Sequence, residues 1–467
     1  MPLSFTLDPT ETEPLFLQIA ARLRAAITGG QLLPGARLPS ARALAVQLSV
    51  APGTVDAAYA LLAGEGAIRS RPSAGTVVSG AVGTRMEVPE HTPFMFPAGS
   101  ATERAAPLPL QIGLPALDSF PIRAWSKLTV HAVRGLLPNQ LADPDPCGLP
   151  DLRREVAAYL GRARGVACAP EQVLITAGYQ GALALVRSVL VRPGDPVWIE
   201  DPGYPPARQA LEAAGARIVP VRVDQDGMRV AAGKVAAPRA RLALVTPTHQ
   251  YPTGAALSLP RRMELLAWAA EADARVLEDD YDSEFRYAGR PLPALKSLDR
   301  GQRVLYAGSF SKVLFPALRL GYLVVPPDLA TAFVRAARLL TAGQPPLEQN
   351  VLAAFMAGGQ FVRHIKRMRA LYAERRRALA AALEARGVTV ETPPGGMLLL
   401  ARFPGSDDDG TLAKRAAAAG LAATALSGLT MAHDCGRGLL LGFANLPAAE
   451  AESIAARLLA AIGFSRP

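Results

Sequence analysis

A lysine at the end of an apolar run limits the folds open to this chain more than any other residue. Lys312 lies between Ser309 and Arg319 in the stretch SFSKVLFPALRLGY. An amine attacks a carbonyl carbon only when it is unprotonated, so a covalently reacting lysine needs burial or a nearby cation to lower its pKa. The apolar neighbours and Arg319 offer both. We therefore interpret Lys312 as a Schiff-base lysine for pyridoxal phosphate. The alternative is a strand-end lysine that only reaches solvent.

A second apolar segment ends in a cluster of acids. Residues 275–282 read RVLEDDYD, which predicts a short strand followed by carboxylates, and ligands bind at strand ends in open α/β sheets. A carboxylate keeps a pyridine nitrogen protonated, and a tyrosine hydroxyl can hydrogen-bond the ring oxygen. We assign these roles to Asp279 and Tyr281; Asp280 could replace Asp279 if the strand bulges. An acidic loop or a metal site is the alternative, but the run has no histidine, and we predict no metal.

A phosphate site is expected after a third apolar segment. Residues 173–176 (VLIT) precede a glycine turn and then helical apolar spacing, so free N–H groups at the helix start would face an anion. Arg319 has the forked guanidinium that suits phosphate oxygens, and Tyr204 could stack on a ring. The predicted cofactor-binding residues are Gly178, Tyr179, Gln180, Tyr204, Asp279, Tyr281, Ser309, Lys312 and Arg319.

The first eighty residues have a different pattern. Two segments with helical apolar spacing, starting near Pro14 and after Ser40, precede a third with Pro52 in its first turn. Residues 65–78 then predict a β-hairpin with a glycine-containing tip. This order is typical of a winged helix-turn-helix, and a small helical docking domain is the alternative.

These motifs resemble two known families. The segment LPSAR at 38–42 resembles the signature of the GntR family of bacterial regulators. The separated strand, glycine, acid and lysine motifs resemble, in this order, the fold-type I, class I aminotransferases over about residues 110–465. A GntR-like head on an aminotransferase-like body is the arrangement of the MocR/GabR-type regulators. HQYPTG at 249–254 and EDDYDSEFRY at 278–287 look like that subfamily's motifs.

The resemblance implies an α/β fold in three parts. A winged helix-turn-helix would occupy 1–78, a linker 79–109, and an effector domain 110–467, with a large, mostly parallel sheet and a smaller C-terminal α/β domain. Composition supports the linker, because 79–109 is rich in Pro, Gly, Ala and Thr with little periodicity. The resemblance also implies pyridoxal phosphate at Lys312, a homodimer and transcription control by an amine or vitamin signal. The DNA partner would be an operator with paired half-sites.

The head carries little positive charge. Residues 1–80 contain six basic and five acidic side chains, a net +1, whereas the whole chain has a net charge of +10. Phosphate neutralisation supplies most nonspecific DNA affinity, so we expect weak or avidity-dependent binding. The helix that would read DNA contains Pro52 and Asp56 and lacks the arginine usual in the family. The best remaining contacts are Arg42, Thr54, Arg69 and Arg71.

Two positions depart from the class I enzymes. Leu440, three residues before Phe443 on a predicted strand, stands where the enzyme pattern has an arginine that grips the substrate α-carboxylate. Arg437 lies three residues earlier, so it would point to the opposite face. Tyr251 replaces the asparagine of the enzymes' Asn-Pro-Thr-Gly motif. Because such a clamp orients the substrate, its loss argues against efficient transamination.

These features predict a pyridoxal-phosphate-dependent, DNA-binding transcriptional regulator that senses an amine, an amino acid or the cofactor itself at Lys312. An active class I aminotransferase with a degenerate head is the main alternative, and a cofactor-free scaffold is a third. No apolar stretch reaches membrane-spanning length without charge or proline, and the N-terminus lacks a signal-peptide pattern. Three scattered cysteines suit a reducing compartment, so we expect a cytoplasmic protein.

Overall fold

The computed structural model describes residues 7–8, 13–71, 75–79, 106–289, 292–403 and 408–464. The chain divides into two compact units, 1–103 and 104–467. Most of the predicted linker lies outside the described residues, and so do residues 72–74 of the predicted hairpin. None of the described helices combines the length and the apolar character that crossing a bilayer requires.

The described part of the smaller unit has three helices and a hairpin, as the sequence predicts. Its elements are α1 (Leu15–Thr28), α2 (Ala41–Leu48), α3 (Pro52–Gly64), β1 (Ile68–Arg71) and β2 (Gly75–Val78). Ser40 caps α2, because its hydroxyl oxygen accepts a hydrogen bond from the N–H of Ala43 at 3.2 Å. The antiparallel hairpin and the helices share one apolar core that includes Ile19, Leu23, Leu44, Val55, Leu62 and Val78.

The larger unit alternates helices and strands along most of its length. Its described helices are α4 (Ile122–Arg134), α5 (Pro150–Arg164), α6 (Gly178–Leu190), α7 (Pro205–Glu212), α8 (Val230–Ala236), α9 (Leu259–Glu271), α10 (Ala330–Leu340), α11 (Pro346–Ala357), α12 (Gln360–Glu384), α13 (Asp409–Ala418) and α14 (Ala451–Ile462). Its described strands are β3 (Val173–Thr176), β4 (Pro196–Asp201), β5 (Arg217–Asp224), β6 (Gly227–Met228), β7 (Leu242–Val245), β8 (Arg275–Asp280), β9 (Val304–Ser309), β10 (Gly321–Val324), β11 (Thr389–Glu391), β12 (Leu398–Arg402), β13 (Thr424–Ala425) and β14 (Leu439–Gly442).

A large sheet with the strand order β3-β10-β9-β8-β7-β4-β5-β6 forms the centre of this unit. The five neighbours from β9 to β5 run parallel, whereas β10 runs opposite to both β9 and β3. Alternate residues of β3 enter different apolar clusters: Val173 and Ile175 pack in one, and Leu174 in another. Both faces are therefore covered, which explains why these strands are continuously apolar. A smaller antiparallel sheet has the order β11-β12-β14-β13.

A buried ion pair ties α5 to the end of β8. Arg164 Nε lies 2.7 Å from Asp280 Oδ2, and both side chains are at most 5% exposed. The other guanidinium nitrogens of Arg164 donate to the Leu292 carbonyl oxygen and to Thr248 Oγ1, each at 2.8 Å. The Tyr306 hydroxyl also donates to Asp280. A buried charge is tolerated only when it is paired and hydrogen-bonded, so this network fixes the direction of Asp280.

Arg164→Ala should lower the free energy of unfolding by about 3–5 kcal/mol, because it leaves the buried Asp280 carboxylate without its partner. Arg154→Ala is the matched control, since its ion pair with Asp151 lies on the same helix but is exposed and should contribute at most about 1 kcal/mol. Urea unfolding followed by circular dichroism measures both. Equal losses for the two variants would show that the buried pair adds no stability.

Candidate functional site

A cavity of about 310 Å³ opens where the parallel strands β4, β7, β8 and β9 end. The carboxyl ends of neighbouring parallel strands meet at one edge of a sheet, so residues far apart in the sequence come together there. The cavity is lined by Ile112, Gly113, Tyr179, Gln180, Tyr204, Thr246, Tyr251, Asp279, Tyr281, Asp282, Ser309, Ser311, Lys312, Pro316, Arg319, Met397 and Leu398.

Eight of the nine cofactor-binding residues predicted from the sequence line this cavity. The ninth, Gly178, lies beside it, because a Cβ added there would be 3.8 Å from Arg319 Nη1. The structure therefore brings the predicted set together in one place. The contacts of each residue with a cofactor stay predictions.

Lys312 lies half-buried in the turn after β9. The amine donates a hydrogen bond to the carbonyl oxygen of Gly113 at 2.7 Å. Burial lowers the pKa of the Lys312 amine, although the carboxylates of Asp282 and Asp279 oppose this shift. A lowered pKa increases the unprotonated fraction at neutral pH, which is the form that attacks a carbonyl. Gly113 has a φ of +71°, and a Cβ there would lie 2.5 Å from Lys312 Nζ, so only glycine leaves room.

The two neighbouring acids of β8 have different surroundings. Asp279 lines the cavity, whereas Asp280 is held by Arg164. Burial raises the pKa of the Asp279 carboxyl well above its usual value, and the nearby Tyr179 hydroxyl partly opposes the rise. That hydroxyl is buried, yet it forms no hydrogen bond of standard geometry with any residue in the described ranges. The structure thus turns Asp279, and not Asp280, toward the cavity.

The start of α6 and the residues around Arg319 form a cradle with several N–H groups. Gly178 and Arg319 both have left-handed backbones, with φ values of +67° and +52°. Arg319 Nη2 donates to the carbonyl oxygen of Ala177 at 3.3 Å, and Ser309 Oγ accepts from the N–H of Ser311 at 3.2 Å. The hydroxyl proton of Ser309 and further guanidinium donors remain for a ligand. Together with the free N–H groups of the first helical turn, they suit an anion.

Four tyrosines form one wall of the cavity. Tyr204 contacts Tyr179 and Tyr251 edge to face, with ring centroids 6.2 and 5.8 Å apart. Tyr251 contacts Tyr281 in the same way at 6.2 Å. Tyr251, at the position where the enzymes have an asparagine, therefore fills space between two predicted cofactor-binding tyrosines.

Leu440 is fully buried in a small apolar cluster. The cluster also contains Leu398, Leu400, Leu426 and Leu429, and the cavity residues Ile112 and Tyr251 pack against it. Arg437 is exposed, just before β14 begins. Among the described residues that line the cavity, Arg319 is the single arginine. The place expected for a carboxylate clamp is therefore occupied by leucine side chains.

Sequence reasoning missed part of the lining. Ile112 and Gly113 precede α4, Leu398 is the first residue of β12, and Met397 comes just before it, so no local pattern marks them as site residues. His249 and Asp282 did carry a signal. Both belong to the motifs that resemble the regulator subfamily, but the sequence alone assigned neither a role.

The predicted DNA contacts lie on three elements of the smaller unit. Arg42 is exposed near the start of α2, Thr54 is half-buried in the first turn of α3, and Arg69 is exposed on β1. Arg71 pairs with Gly75 across the hairpin. Arg24 donates two hydrogen bonds to the Glu65 carboxylate, at 2.9 and 2.6 Å, so one of the six basic groups is already paired.

Comparisons with known proteins agree with this two-part architecture. Residues 15–78 match the bacterial regulatory proteins of the gntR family, and residues 121–458 match aminotransferase class I and II. The probable rhizopine catabolism regulatory protein MocR of Rhizobium meliloti is 37% identical over 94% of this chain and 92% of that protein. The chain belongs to the MocR/GabR-type family of GntR regulators. The pyridoxine biosynthesis transcriptional regulator PdxR of Corynebacterium glutamicum is 33% identical over 95% of both chains.

A solved aminotransferase matches the larger unit of this MocR-type chain. LysN, the alpha-aminoadipate aminotransferase of Thermus thermophilus, was solved in complex with N-(5'-phosphopyridoxyl)-L-leucine. It is 30% identical with a TM-score of 0.69, and the match covers 76% of this chain and 92% of that one. The predicted fold-type I body, with its large sheet and smaller C-terminal part, is confirmed.

Gly113→Ala should displace the Lys312 amine and slow its reductive alkylation by a small aldehyde and borohydride about tenfold, because the new methyl group overlaps Nζ. Gly194→Ala is the matched control, since Gly194 also has a positive φ but nothing lies within 4 Å of an added Cβ. Both variants should lose about 1–2 kcal/mol of stability from backbone strain. Peptide mass spectrometry measures labelling of Lys312 relative to the exposed Lys127. Equal labelling in both variants contradicts a role for Gly113.

Proposed function

We propose that this chain is a pyridoxal-phosphate-dependent transcriptional regulator whose larger unit senses an amine, an amino acid or the cofactor itself. The observation that carries the proposal is the meeting of the Lys312 amine, the Asp279 carboxyl and the Arg319 guanidinium around one cavity. This cavity lies in a body of aminotransferase fold that follows a GntR head in the same chain.

The residues present fit the cofactor. Lys312 would attach the aldehyde carbon, Asp279 would face the ring nitrogen, and Tyr281 would hydrogen-bond the ring oxygen. Burial raises the pKa of the Asp279 carboxyl, which makes its carboxylate a stronger hydrogen-bond acceptor for a protonated ring nitrogen. The phosphate would lie against Gly178, Gln180, Ser309 and Arg319, and the unpartnered Tyr179 hydroxyl adds a donor close to Asp279. When bound, pyridoxal phosphate supplies an aldehyde that exchanges reversibly between primary amines.

The chain's own residues suggest which ligands the cavity accepts. An amino acid with an α-carboxylate would meet Leu398, Ile112 and the Leu440 cluster where a guanidinium would be needed. Burying a carboxylate there without a partner is unfavourable. The apolar wall therefore favours an amine without an α-carboxylate, or the cofactor itself as the signal.

Sensing requires that the ligand changes the arrangement of the DNA-binding heads. A ligand shifts an equilibrium only when it prefers one conformation over the other. In the proposed homodimer, the linker at 79–109 would set the spacing of two heads (1–78) on paired half-sites, and the body (110–467) would hold the pair together. The proposed location is the cytoplasm, where both DNA and the cofactor are present.

Lys312→Ala should abolish covalent attachment of pyridoxal phosphate, because Lys312 is the single lysine among the described residues that line the cavity. Borohydride reduction followed by peptide mass spectrometry detects the attachment. Lys296→Met is the matched control: burial lowers the pKa of the Lys296 amine as well, but this lysine donates to the Val304 carbonyl oxygen away from the cavity. Unchanged labelling in K312A, or lost labelling in K296M, would contradict the assignment.

A turnover assay distinguishes the rival function, an active aminotransferase, from the proposed regulator. The chain loaded with pyridoxal phosphate and supplied with a panel of amino donors and a keto acid should show at most a single spectral change. Sustained conversion at about 1 per second or faster, the range of ordinary enzymes, would support the rival.

Arg42→Gln and Arg69→Gln should each weaken DNA binding and reduce the dependence of log K on log salt by about one unit per head, because each removes one phosphate contact. Arg24→Gln is the control, since Arg24 is already paired with Glu65. Mobility shifts on the DNA upstream of the protein's own gene, at several salt concentrations, give the slopes. The absence of any shift at low salt would remove the regulator proposal.

A further inference from the structure

A buried histidine bridges two residues at the edge of the cavity. His249 Nδ1 lies 3.0 Å from the Tyr281 hydroxyl oxygen and 3.1 Å from Asp282 Oδ1. His249 is 6% exposed and Asp282 is 2% exposed. Tyr281 and Asp282 both line the cavity, while His249 lies behind them. One ring nitrogen is therefore within hydrogen-bonding distance of two cavity residues.

The opposite edge of the imidazole ring is enclosed. His249 Nε2 is buried and has no hydrogen-bond partner in the described part of the chain. A Cβ added to Gly396 would lie 1.9 Å from Cε1, and one added to Gly254 would lie 3.2 Å from Nε2. Gly396 is itself fixed, because its N–H donates to the Phe285 carbonyl oxygen at 2.8 Å and its carbonyl accepts from the Tyr287 hydroxyl at 2.6 Å. The ring therefore has little freedom to turn.

The loop that carries His249 is held from several sides. The preceding residue, Thr248, accepts a hydrogen bond from Arg164, and the next one, Gln250, donates to the Pro202 carbonyl oxygen at 2.8 Å. The N–H of Gln250 also donates to the Ala255 carbonyl oxygen at 2.8 Å. Nδ1 is thus positioned by the fold and not only by its two partners.

These contacts distinguish the protonation forms of the ring. If Nδ1 were unprotonated, its lone pair would face the Asp282 carboxylate at 3.1 Å. The Tyr281 hydroxyl would then have to donate its hydrogen bond to Nδ1. If both nitrogens were protonated, Nε2–H would be a buried donor without an acceptor, which costs more than a bare nitrogen. A neutral ring with its proton on Nδ1 avoids both problems. Its N–H is then shared between Asp282 Oδ1 and the Tyr281 oxygen.

The geometry points to His249 as a positioning residue that directs the Tyr281 hydroxyl proton into the cavity. With the Nδ1–H form, Tyr281 accepts from His249, and its own proton is free for another acceptor. Asp282 holds this form of the ring, in the way that a carboxylate commonly fixes a histidine tautomer. This inference deepens the proposed function, on which it rests: the acceptor in the cavity would be the ring oxygen of the cofactor.

The consequence for Lys312 follows from charge. With the cofactor bound, a hydrogen bond from Tyr281 would reduce the negative charge on the ring oxygen. That charge would otherwise help to hold a proton on the attached lysine nitrogen. Weakening that hydrogen bond should therefore raise the pH at which this nitrogen loses its proton. The other charged groups that face it are Asp279 and Asp282, and the variants below leave both in place.

The first experiment is a pH titration of the visible absorption of the full-length protein loaded with pyridoxal phosphate. His249→Phe keeps a planar ring without nitrogen, and it should raise the midpoint by about one pH unit, which is about tenfold in proton affinity. His249→Asn can place its amide N–H where Nδ1–H lies, so its midpoint should lie close to that of the wild type. The amide of His249→Gln reaches the position of Nε2 instead, so its midpoint should be raised as in H249F. Equal midpoints for wild type and H249F would overturn the inference.

A double variant separates positioning from general damage. In the Tyr281→Phe background no hydroxyl remains to be directed, so adding His249→Phe should leave the midpoint unchanged. A further rise of the same size would mean that His249 acts by another route, and the inference would fail.

The second experiment does not depend on the cofactor. The chain has five histidines, and nitrogen NMR of histidine-labelled protein, with H249N to identify the signal, shows which ring nitrogen of His249 carries the proton. A protonated Nδ1 and a bare Nε2 are expected. A bare Nδ1 would refute the inference even if the cofactor binds, whereas failure to bind the cofactor with Nδ1 protonated would refute only the proposed function.

Discussion

The ion pair between Arg164 and Asp280 determines which of the two neighbouring acids at the end of β8 faces the cavity. Adjacent residues of a strand point to opposite faces, so holding Asp280 behind the sheet turns Asp279 toward the cavity. The same guanidinium also donates to Thr248, at the start of the loop that carries His249 and Tyr251. One buried cation thus contacts two of the segments that line the cavity.

Much of the site could be anticipated because strand ends in a parallel sheet meet at one edge. The sequence assigned Gly178, Asp279 and Lys312 to one cofactor site from three separate motifs, and each of them lies at or just after the end of a strand of the large sheet. It could not place Gly113 or Leu398, since neither follows a strand of the large sheet. Their positions depend on packing between segments far apart in the sequence, as in the contact from Lys312 to Gly113. The role of His249 needed distances, because the sequence shows a histidine but not what it touches.

In the head, too, local features could be predicted from the sequence, but contacts between distant segments could not. Capping by Ser40 and the proline at the start of α3 could be foreseen, because both are local properties of a helix end. The pairing of Arg24 with Glu65 could not, since these residues lie on α1 and just after α3. That pair occupies one of the six basic side chains of residues 1–80, whose net charge is only +1. Two heads acting together would compensate, because linked weak contacts combine into strong binding.

The hydrogen bond from Lys312 to Gly113 also connects the cavity with the entry of the chain into the larger unit. Just before Gly113, the carbonyl oxygens of Pro109 and Leu110 accept hydrogen bonds from Ala422 and Gly442, each at 2.9 Å. A lysine nitrogen that forms an imine with a carbonyl carbon keeps at most one N–H. Lys312 would then have fewer donors for the Gly113 carbonyl oxygen than the free amine has. The nitrogen that would receive a covalent ligand is therefore the same one that donates to Gly113, near the beginning of the larger unit.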